Sequence, residues 1–126
     1  MIDVERQALA DASRLAAILA DPKLAASTAA QLQTVSTNTK GGKRTSAALA
    51  KPARKGPAIL LIHEWWGLND QIKSVAAELA EQGYLALACD LYNGQITTDA
   101  GKAGALMEAV KPDEATDIMK IGRAHV

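Results

Sequence analysis

The sequence predicts an α/β fold, in which a parallel βαβ unit follows an antiparallel hairpin and a helical N-terminal segment. Two short apolar segments, 58–63 and 84–89, flank a segment 70–82 whose apolar residues recur at helical spacing. Strand, helix and strand in this order form a right-handed crossover, so the two strands should be parallel. Because both segments are short and almost wholly apolar, we expect strands that are covered on both faces of the sheet.

The first 34 residues are predicted to form two helices. Over residues 4–20 the apolar side chains recur at helical spacing and share one stripe, which consists of Leu9, Ala12, Leu15, Ala16 and Leu19. Asp21 followed by Pro22 is typical of an N-cap and a proline at the first helical position. A second, alanine-rich helix should therefore run from there to about Gln33.

The next segment carries the signal of a hairpin. Gly41 and Gly42 separate two stretches with strand character, 35–40 and 43–50. A pair of glycines between two such stretches indicates a tight antiparallel connection. The polar residues up to Pro57 then form a loop that leads into the βαβ unit.

Three further helices are predicted after the first buried strand. The crossover helix should begin at Asn69 or Asp70 as its cap and end at Gly83, which can adopt the left-handed conformation of a helix stop. Apolar spacing indicates another helix at about 99–109, and a last one begins at Asp113. With these helices, the predicted elements extend to residue 120.

Composition excludes several classes of protein. The 126 residues are 48% hydrophobic with no net charge, which is typical of a globular chain rather than a disordered one. Cys89 is the single cysteine, so an internal disulfide is impossible and a reducing compartment is expected. The N-terminus is charged where a signal peptide needs an apolar core, and no apolar run approaches membrane-spanning length. We therefore expect a cytoplasmic protein without a membrane partner.

One segment is strongly basic. Residues 35–56 contain six basic and no acidic side chains, namely Lys40, Lys43, Arg44, Lys51, Arg54 and Lys55. Such a segment can indicate a polyanion as partner. Here the charges are spread over turns and the hairpin without interleaved aromatic residues, so we expect a solvated basic surface and no nucleic-acid partner.

The candidate site lies where the two buried strands end. The first strand ends on His63, Glu64, Trp65, Trp66 and Gly67, and chemistry in open α/β sheets occurs at the carboxyl edge of the strands. From the residues alone, Glu64 has two interpretations. It is either a strand-end carboxylate in solvent or a carboxylate held rigidly enough to contact a nucleophile on a neighbouring strand.

Two segments at these strand ends resemble a known family. The segment E-W-W-G-L-N-D begins at Glu64, and the segment G-Y-x-A-L-x-x-D-L-Y begins at Gly83. Together they resemble the dienelactone hydrolase family of α/β hydrolases, whose members carry an H/Q-E-x-x-G segment at the first place. The resemblance covers about residues 35–120 and implies the N-terminal half of an α/β-hydrolase sheet.

The resemblance implies a role for several residues. Glu64 would contact the catalytic nucleophile and help to activate it. In α/β hydrolases one oxyanion-hole N–H comes from the loop after the third strand, and by the motif this donor is the backbone amide of Trp65. Trp66 and Tyr92 are expected to contact substrate. One of the two indoles should be core packing and the other a pocket wall, and the sequence does not decide between them.

The resemblance also implies the reaction and the division of the chain. Members cleave an ester or lactone with a Cys/Ser-His-Asp triad, and we expect neither a cofactor nor a metal ion. The triad residues of the family lie beyond residue 126, so this chain by itself is expected to be inactive. Residues 1–34 would be a helical extension and 35–120 the partial hydrolase domain. The segment 121–126 does not continue the helical pattern and is similar to a translated sequencing adapter, so we expect a non-native tail.

Four other residues at or near the strand ends are not expected to be catalytic. His63 should be an internal hydrogen-bonding residue, because the catalytic His of this fold lies far downstream. Cys89 lacks the flanking G-x-C-x-G elbow and should be a small buried hydrophobe. Asp90 should hold its own loop through backbone amides. Gly94 stands where the type enzyme of the family has an arginine for the substrate carboxylate, which puts recognition of a dicarboxylate-like lactone in doubt.

Nucleotide binding and a non-catalytic interaction role are the alternatives to an ester hydrolase. Residues 63–70 contain one glycine and two indoles, whereas a dinucleotide site needs G-x-G-x-x-G so that the backbone can approach the pyrophosphate. The sequence therefore argues against nucleotide binding at this turn. The remaining alternative is a non-catalytic helical interaction module that carries a degenerate hydrolase fragment.

Overall fold

The computed structural model describes residues 3–120, apart from the side chains of residues 3–5 and 8. The tail 121–126 lies outside the described residues, so its non-native origin stays a prediction. The described elements, in chain order, are α1 (Asp3–Ala20), α2 (Pro22–Ala29), β1 (Gln33–Asn38), β2 (Arg44–Ala50), β3 (Ala58–Ile62), α3 (Asp70–Glu81), β4 (Leu85–Cys89), α4 (Ala100–Ala109) and α5 (Pro112–Met119).

The four strands form one mixed sheet in the order β1-β2-β4-β3. β1 and β2 are the predicted antiparallel hairpin, and β2 also pairs antiparallel with β4. β3 and β4 are parallel, as the βαβ pattern predicts, with Ala58 beside Leu85 and Ile62 beside Cys89. Because the two parallel strands are in register, the residues that follow them, His63 and Asp90, leave the sheet at the same edge.

The two faces of the sheet are covered by different helices. One apolar cluster lies between the sheet and α3 and is made almost entirely of alanine and leucine: Ala48, Ala50, Leu68, Ala76, Ala86 and Ala88. The other cluster is closed by Ile118 of α5 over Val35, Ala47, Leu49, Leu87 and Cys89. The small side chains of the first cluster let α3 approach the sheet closely, which fixes the position of its N-terminus beside the strand ends.

One of the two predicted buried strands is covered less than expected. In β4, residues 86–89 are buried, whereas Leu60 and Ile62 of β3 are each 41% exposed. Both side chains lie on the face that α5 covers, but Ile118 packs over β2 and β4 rather than over β3. β3 is also an edge strand of the described sheet. The prediction of a strand covered on both faces is therefore wrong for β3 and confirmed for β4.

The predicted apolar stripe of α1 is also wrong in part. Leu9 is 57% exposed and Leu19 is 38% exposed, while the buried residue is Ile18, which the stripe leaves out. The reason is that α1 contacts α2 and α3 along one narrow face. The same face carries Arg14, whose guanidinium donates hydrogen bonds to both carboxylate oxygens of Glu78, at 3.0 Å for Nε.

Three helix ends follow the predicted cap residues, whereas α2 ends at Ala29 and not at about Gln33, which already lies in β1. The Asn69 side chain accepts from the amide of Ile72 at 3.1 Å, and Gly83 has a φ of +99° after the end of α3. Asp21 accepts from the amide of Lys23 at 3.0 Å, and Pro22 begins α2. A capping side chain bonds an amide only two or three residues further along the chain. The sequence can therefore locate these three helix ends.

The buried polar face of α3 is a feature that the sequence pattern does not predict. Ser74 is fully buried, and its hydroxyl lies 2.8 Å from the carbonyl oxygen of Asp70 and 3.2 Å from that of Ala25. Glu78 is 4% exposed and is held by Arg14. This hydrogen bond raises the pKa of Arg14. The helices of the first 34 residues thus cover the side of α3 that faces away from the sheet.

The open edge of β3 leads to a prediction about association. The segment 58–62 is apolar and uncharged, so its unpaired backbone groups favour pairing with another chain. We expect the purified 126-residue chain to sediment as an assembly. A variant with both Leu60→Lys and Ile62→Lys should sediment as a monomer, because edge lysines oppose strand pairing. Leu9→Lys, at an exposed leucine of α1, is the control and should sediment as the wild type does. A monomeric wild-type chain that unfolds cooperatively would contradict this prediction.

Candidate active site

The candidate site begins at a tight turn after β3. The amide of Gly67 donates to the carbonyl oxygen of Glu64 at 3.2 Å, and the next bond joins the amide of Asn69 to the carbonyl oxygen of Gly67 at 2.9 Å. Gly67 has a φ of +96°, and a Cβ at this position would lie 2.5 Å from the carbonyl oxygen of Gln95. The turn therefore needs glycine both for its conformation and for the close approach of a second loop.

That second loop follows β4 and is held by Asp90. Its carboxylate is buried and accepts from the amides of Tyr92 at 2.9 Å and of Gly94 at 2.7 Å. Two residues of the loop have positive φ, Asn93 at 53° and Gly94 at 83°. The prediction that Asp90 holds its own loop is confirmed by these bonds.

His63 joins the two loops. The amide of Leu91 donates to Nε2 of the imidazole at 3.0 Å, and Nδ1 lies 2.8 Å from the carbonyl oxygen of Glu64. A backbone amide can only donate, so Nε2 must be unprotonated and the single ring proton must be on Nδ1. The ring also lies edge-on to Tyr92, with 4.6 Å between the centroids. Both nitrogens are thus used within the chain, which confirms the prediction of an internal hydrogen-bonding residue.

A further bond fixes the turn to the loop after β4. The amide of Thr97 donates to the carbonyl oxygen of Trp66 at 3.1 Å. Together with the contact of Gly67 against Gln95, this bond makes the two loops one rigid unit. The side chains of Glu64, Trp65 and Trp66 project from this unit, and all three are exposed.

Three polar groups at the turn are available for chemistry. Within residues 3–120, the Glu64 carboxylate and the backbone amides of Trp65 and Trp66 make no hydrogen bond. An unpaired amide beside an unpaired carboxylate at the carboxyl edge of a sheet is the arrangement that an incoming polar group can occupy. The other polar groups of the corner, the His63 ring and the Asp90 carboxylate, have their bonding capacity used by backbone atoms.

The two indoles lie in different clefts. The first, which we name the Trp65 cleft, has a volume of about 390 Å³ and is lined by Trp65, Leu91, Tyr92, Met107, Val110 and the side of His63. Glu64 also borders it. Trp65 packs over the α4 backbone, since a Cβ on Gly104 would lie 3.7 Å from the indole. Tyr92 is 6% exposed, so it shows only one edge of its ring to the cleft.

The second cleft, which we name the Trp66 cleft, has a volume of about 520 Å³. Its apolar walls are Leu19, Trp66, Ile72 and Val75, and Glu64 borders this cleft as well. Trp65 is 38% exposed and Trp66 is 36% exposed. The expectation that one indole packs in the core is therefore wrong, because each ring lines its own cleft on either side of Glu64.

Cys89 is separate from this site. Its side chain is fully buried, and Sγ lies 3.9 Å from the carbonyl oxygen of Ile118. Burial, with a smaller effect from the charge of Asp90, raises the pKa of the thiol to about 11. The thiol is thus protonated at neutral pH, which confirms that Cys89 is a buried apolar residue rather than a nucleophile.

Two searches of residues 3–120 complete the description of the site. This part of the chain holds no group of three or more His, Cys, Asp or Glu side chains placed to bind a metal ion. Among its helices, none is both long and apolar enough to cross a membrane.

The strand order and the crossover helix form a mixed α/β fold that aligns with solved structures of dienelactone hydrolases, which are α/β hydrolases. A family model described as "Dienelactone hydrolase family" matches residues 45–126. The chain therefore belongs to the dienelactone hydrolase family, as the motifs at Glu64 and Gly83 predict. The helices α1 and α2 and the strand β1 precede the matched residues.

Individual relatives agree with this assignment. The "Putative carboxymethylenebutenolidase" of Aquifex aeolicus (strain VF5) is 36% identical over 90 residues, which cover 69% of this chain and 39% of that protein. The "Carboxymethylenebutenolidase" of Pseudomonas sp. (strain P51) is 41% identical over 59 residues, which cover 46% of this chain and 25% of that protein. The solved structure "m3DLH" aligns with a TM-score of 0.53 and 28% identity over 68% of this chain and 38% of that one. The chain thus spans about two-fifths of these relatives or less.

The sequence reasoning did not find two contributors to the site. The helical spacing places Leu19 in the apolar stripe of α1, yet Leu19 lines the Trp66 cleft. The bond from Leu91 to His63 was also not predicted, although an internal role for the ring was. No local signal reveals either feature, because each depends on how elements distant in sequence meet.

The constraint at Gly67 can be tested by stability measurements. Both variants below are made in the Leu60→Lys, Ile62→Lys chain, which is expected to be monomeric. Gly67→Ala places a methyl group against the Gln95 carbonyl oxygen and strains the positive φ, so the free energy of unfolding in urea should fall by about 3 kcal/mol. Gly83→Ala is a matched control, since its φ of +99° is similar but nothing lies within 4 Å of the added Cβ. It should lose only about 1 kcal/mol. Equal losses in the two variants would show that the loops are not in close contact.

The assignment of Cys89 predicts both its reactivity and a pH dependence. Native chain at pH 8 should resist iodoacetamide, whereas urea-unfolded chain should react. The native pKa is raised, so the native state holds the thiol proton more tightly than the unfolded state does. This contribution to stability is complete below the ordinary value of 9.0 and is lost as the pH rises through about 11. Cys89→Ala should remove that part of the alkaline loss of stability, and rapid alkylation of native chain would contradict the assignment.

Proposed function

We propose that the chain supplies one half of the active site of a hydrolase that cleaves a carboxylic ester or lactone. The observation that carries this proposal is the pair of unbonded groups, the Trp65 amide and the Glu64 carboxylate, beside the Trp65 cleft. The family membership supports the same class of reaction. The nucleophile, Asp and His of a Cys/Ser-His-Asp triad would come from residues that follow this chain in the whole protein.

The proposed chemistry is acyl transfer in two steps. A Cys or Ser nucleophile gives its proton to the triad His and attacks the carbonyl carbon, whose oxygen takes the negative charge. The ester C–O bond then breaks and the alcohol oxygen takes the proton from the His, so that an ester releases its alcohol and a lactone ring opens. Water then attacks the acyl-enzyme and releases the carboxylic acid. The Trp65 amide would donate to the carbonyl oxygen while it is charged, and one such donor is worth about 3 kcal/mol in the transition state.

Glu64 would act on the nucleophile rather than on the substrate. A carboxylate that accepts a hydrogen bond from a thiol or hydroxyl orients that group and raises its nucleophilicity, while the triad His takes the proton. Glu64 is suited to this role because its backbone is fixed by the bonds of Gly67 and His63 while its carboxylate is free. Trp66 and Tyr92 are proposed to contact the substrate, and a cytoplasmic location without nucleic-acid partner belongs to the same proposal.

A non-catalytic role is the second candidate. It is favoured by one observation, namely that α1 and α2 lie before the residues matched by the family and could serve as an interaction module. The reading frame downstream of codon 120 separates the two candidates. A G-x-C-x-G or G-x-S-x-G elbow within roughly 30 residues, followed by Asp and His, favours the enzyme, and a genuine stop codon favours the module.

The catalytic proposal is tested through the Trp65 amide. In the protein that continues through the elbow, Trp65→Pro removes the N–H and should lower kcat for 4-nitrophenyl acetate by about 10²- to 10³-fold. Trp65→Phe keeps the amide and removes only the indole, so its kcat should stay within a few-fold of the wild type. The 126-residue chain by itself should give no hydrolysis above background. Full kcat in Trp65→Pro, or turnover by the 126-residue chain, would contradict the proposal.

A further inference from the structure

The Trp66 cleft has one wall that the family match does not include. Leu19 of α1 lines this cleft opposite Trp66, with Ile72 and Val75 of α3 at its base. The matched residues begin at 45, so α1 is an addition to the part of the chain that resembles the family. A residue of a helix outside the matched residues thus lines the same cleft as Glu64, which also borders the Trp65 cleft.

The position of this wall is fixed by bonds between α1 and α3. Arg14 donates to both oxygens of Glu78, which is 4% exposed, and Ile18 of the same helix is buried. Leu19 directly follows Ile18 in the helix, so its side chain is directed away from the buried face and towards the cleft. It is 38% exposed, although it sits within a firmly attached helix.

The chemistry of the cleft walls selects an uncharged ligand. Leu19, Trp66, Ile72 and Val75 are apolar, and the polar residues Asn69 and Thr97 are neutral. Among the described residues that line the cleft, Glu64 is the one charged side chain. A ligand carboxylate would meet this negative charge with no cation to balance it. The exposed faces of Leu19 and Trp66 instead gain by being covered with apolar surface.

We propose that the Trp66 cleft binds the uncharged apolar chain of the ester substrate, with Leu19 as a residue that determines specificity. This inference rests on the proposed ester hydrolysis. Because Glu64 borders both clefts, a substrate whose carbonyl group lies at the Trp65 amide can extend past Glu64 into the Trp66 cleft. The cleft volume of about 520 Å³ lies within the range of small-molecule sites. Helix α1 then contributes to substrate selection in addition to packing against α3.

Binding can be measured without catalysis, since the two tryptophans of the chain are Trp65 and Trp66. In the 126-residue chain with Trp65→Phe and the monomer-favouring pair Leu60→Lys and Ile62→Lys, the fluorescence of Trp66 reports on this cleft alone. Ethyl hexanoate should change the emission saturably, and the hexanoate anion, which has the same chain with a carboxylate, should bind at least about tenfold more weakly. Trp66→Phe leaves Trp65 as the reporter and should give a smaller response to ethyl hexanoate.

Variants of Leu19 test the role of α1 in the same assay. Leu19→Ala in the Trp65→Phe chain should weaken the binding of ethyl hexanoate by roughly three- to tenfold, because part of the apolar wall is lost. Leu9→Ala, on the same helix and away from the cleft, should bind as the parent does. Leu19→Lys should improve the binding of hexanoate relative to its ethyl ester, a gain that misfolding cannot produce.

The outcomes separate this inference from the proposed function. Unchanged binding in Leu19→Ala, equal affinity for the ester and the anion, or no saturable signal from Trp66 would each overturn the inference. None of these results bears on the Trp65→Pro experiment, which measures turnover with a short acetyl ester. If ethyl hexanoate changes the Trp66 fluorescence as expected but Trp65→Pro keeps the full kcat, the oxyanion role of the Trp65 amide is rejected and the binding cleft is retained.

Discussion

The geometry of the site depends on the hydrogen-bonded imidazole of His63. Its two nitrogens connect the carbonyl oxygen of Glu64 to the amide of Leu91, and so connect the loop after β3 to the loop after β4. The Glu64 carbonyl and the Trp65 N–H belong to the same planar peptide group. The bond from Nδ1 to the carbonyl oxygen therefore also fixes the direction of the Trp65 N–H. Protonation of Nε2 would place two donors against each other at Leu91. The bond from the Leu91 amide therefore requires an Nε2 that carries no proton.

The rest of the corner supports this bridge from both sides. Asp90 holds the second loop by accepting from two of its amides, and Gly67 lets that loop approach within a distance that no side chain would permit. These bonds use the polar groups of the corner almost completely. As a result Glu64 and the Trp65 amide are among the groups that make no hydrogen bond within residues 3–120, and two large indoles can be partly exposed on a backbone that is held firmly.

Sequence reasoning succeeded where the physical cause is local. The hairpin at Gly41–Gly42, the cap at Asn69 and the stop at Gly83 depend on a few neighbouring residues, and all are found as predicted. It failed where burial depends on which distant element covers a face. The exposure of Leu60 is decided by the reach of α5 and the burial of Glu78 by the docking of α1. Neither contact leaves a periodic signal in the sequence.

The same distinction explains why the site motif could be located but its surroundings could not. Residues 63–67 form one turn, so their order largely defines the position of the Glu64 carboxylate and the Trp65 amide. The clefts beside them are built from α1, α3 and α4, which join the turn only through tertiary packing. β3 pairs with β4 alone within residues 3–120, and Leu60 and Ile62 are half exposed. The turn is therefore held in place by the ladder to β4 and by the bonds of His63, more than by burial of the strand that carries it.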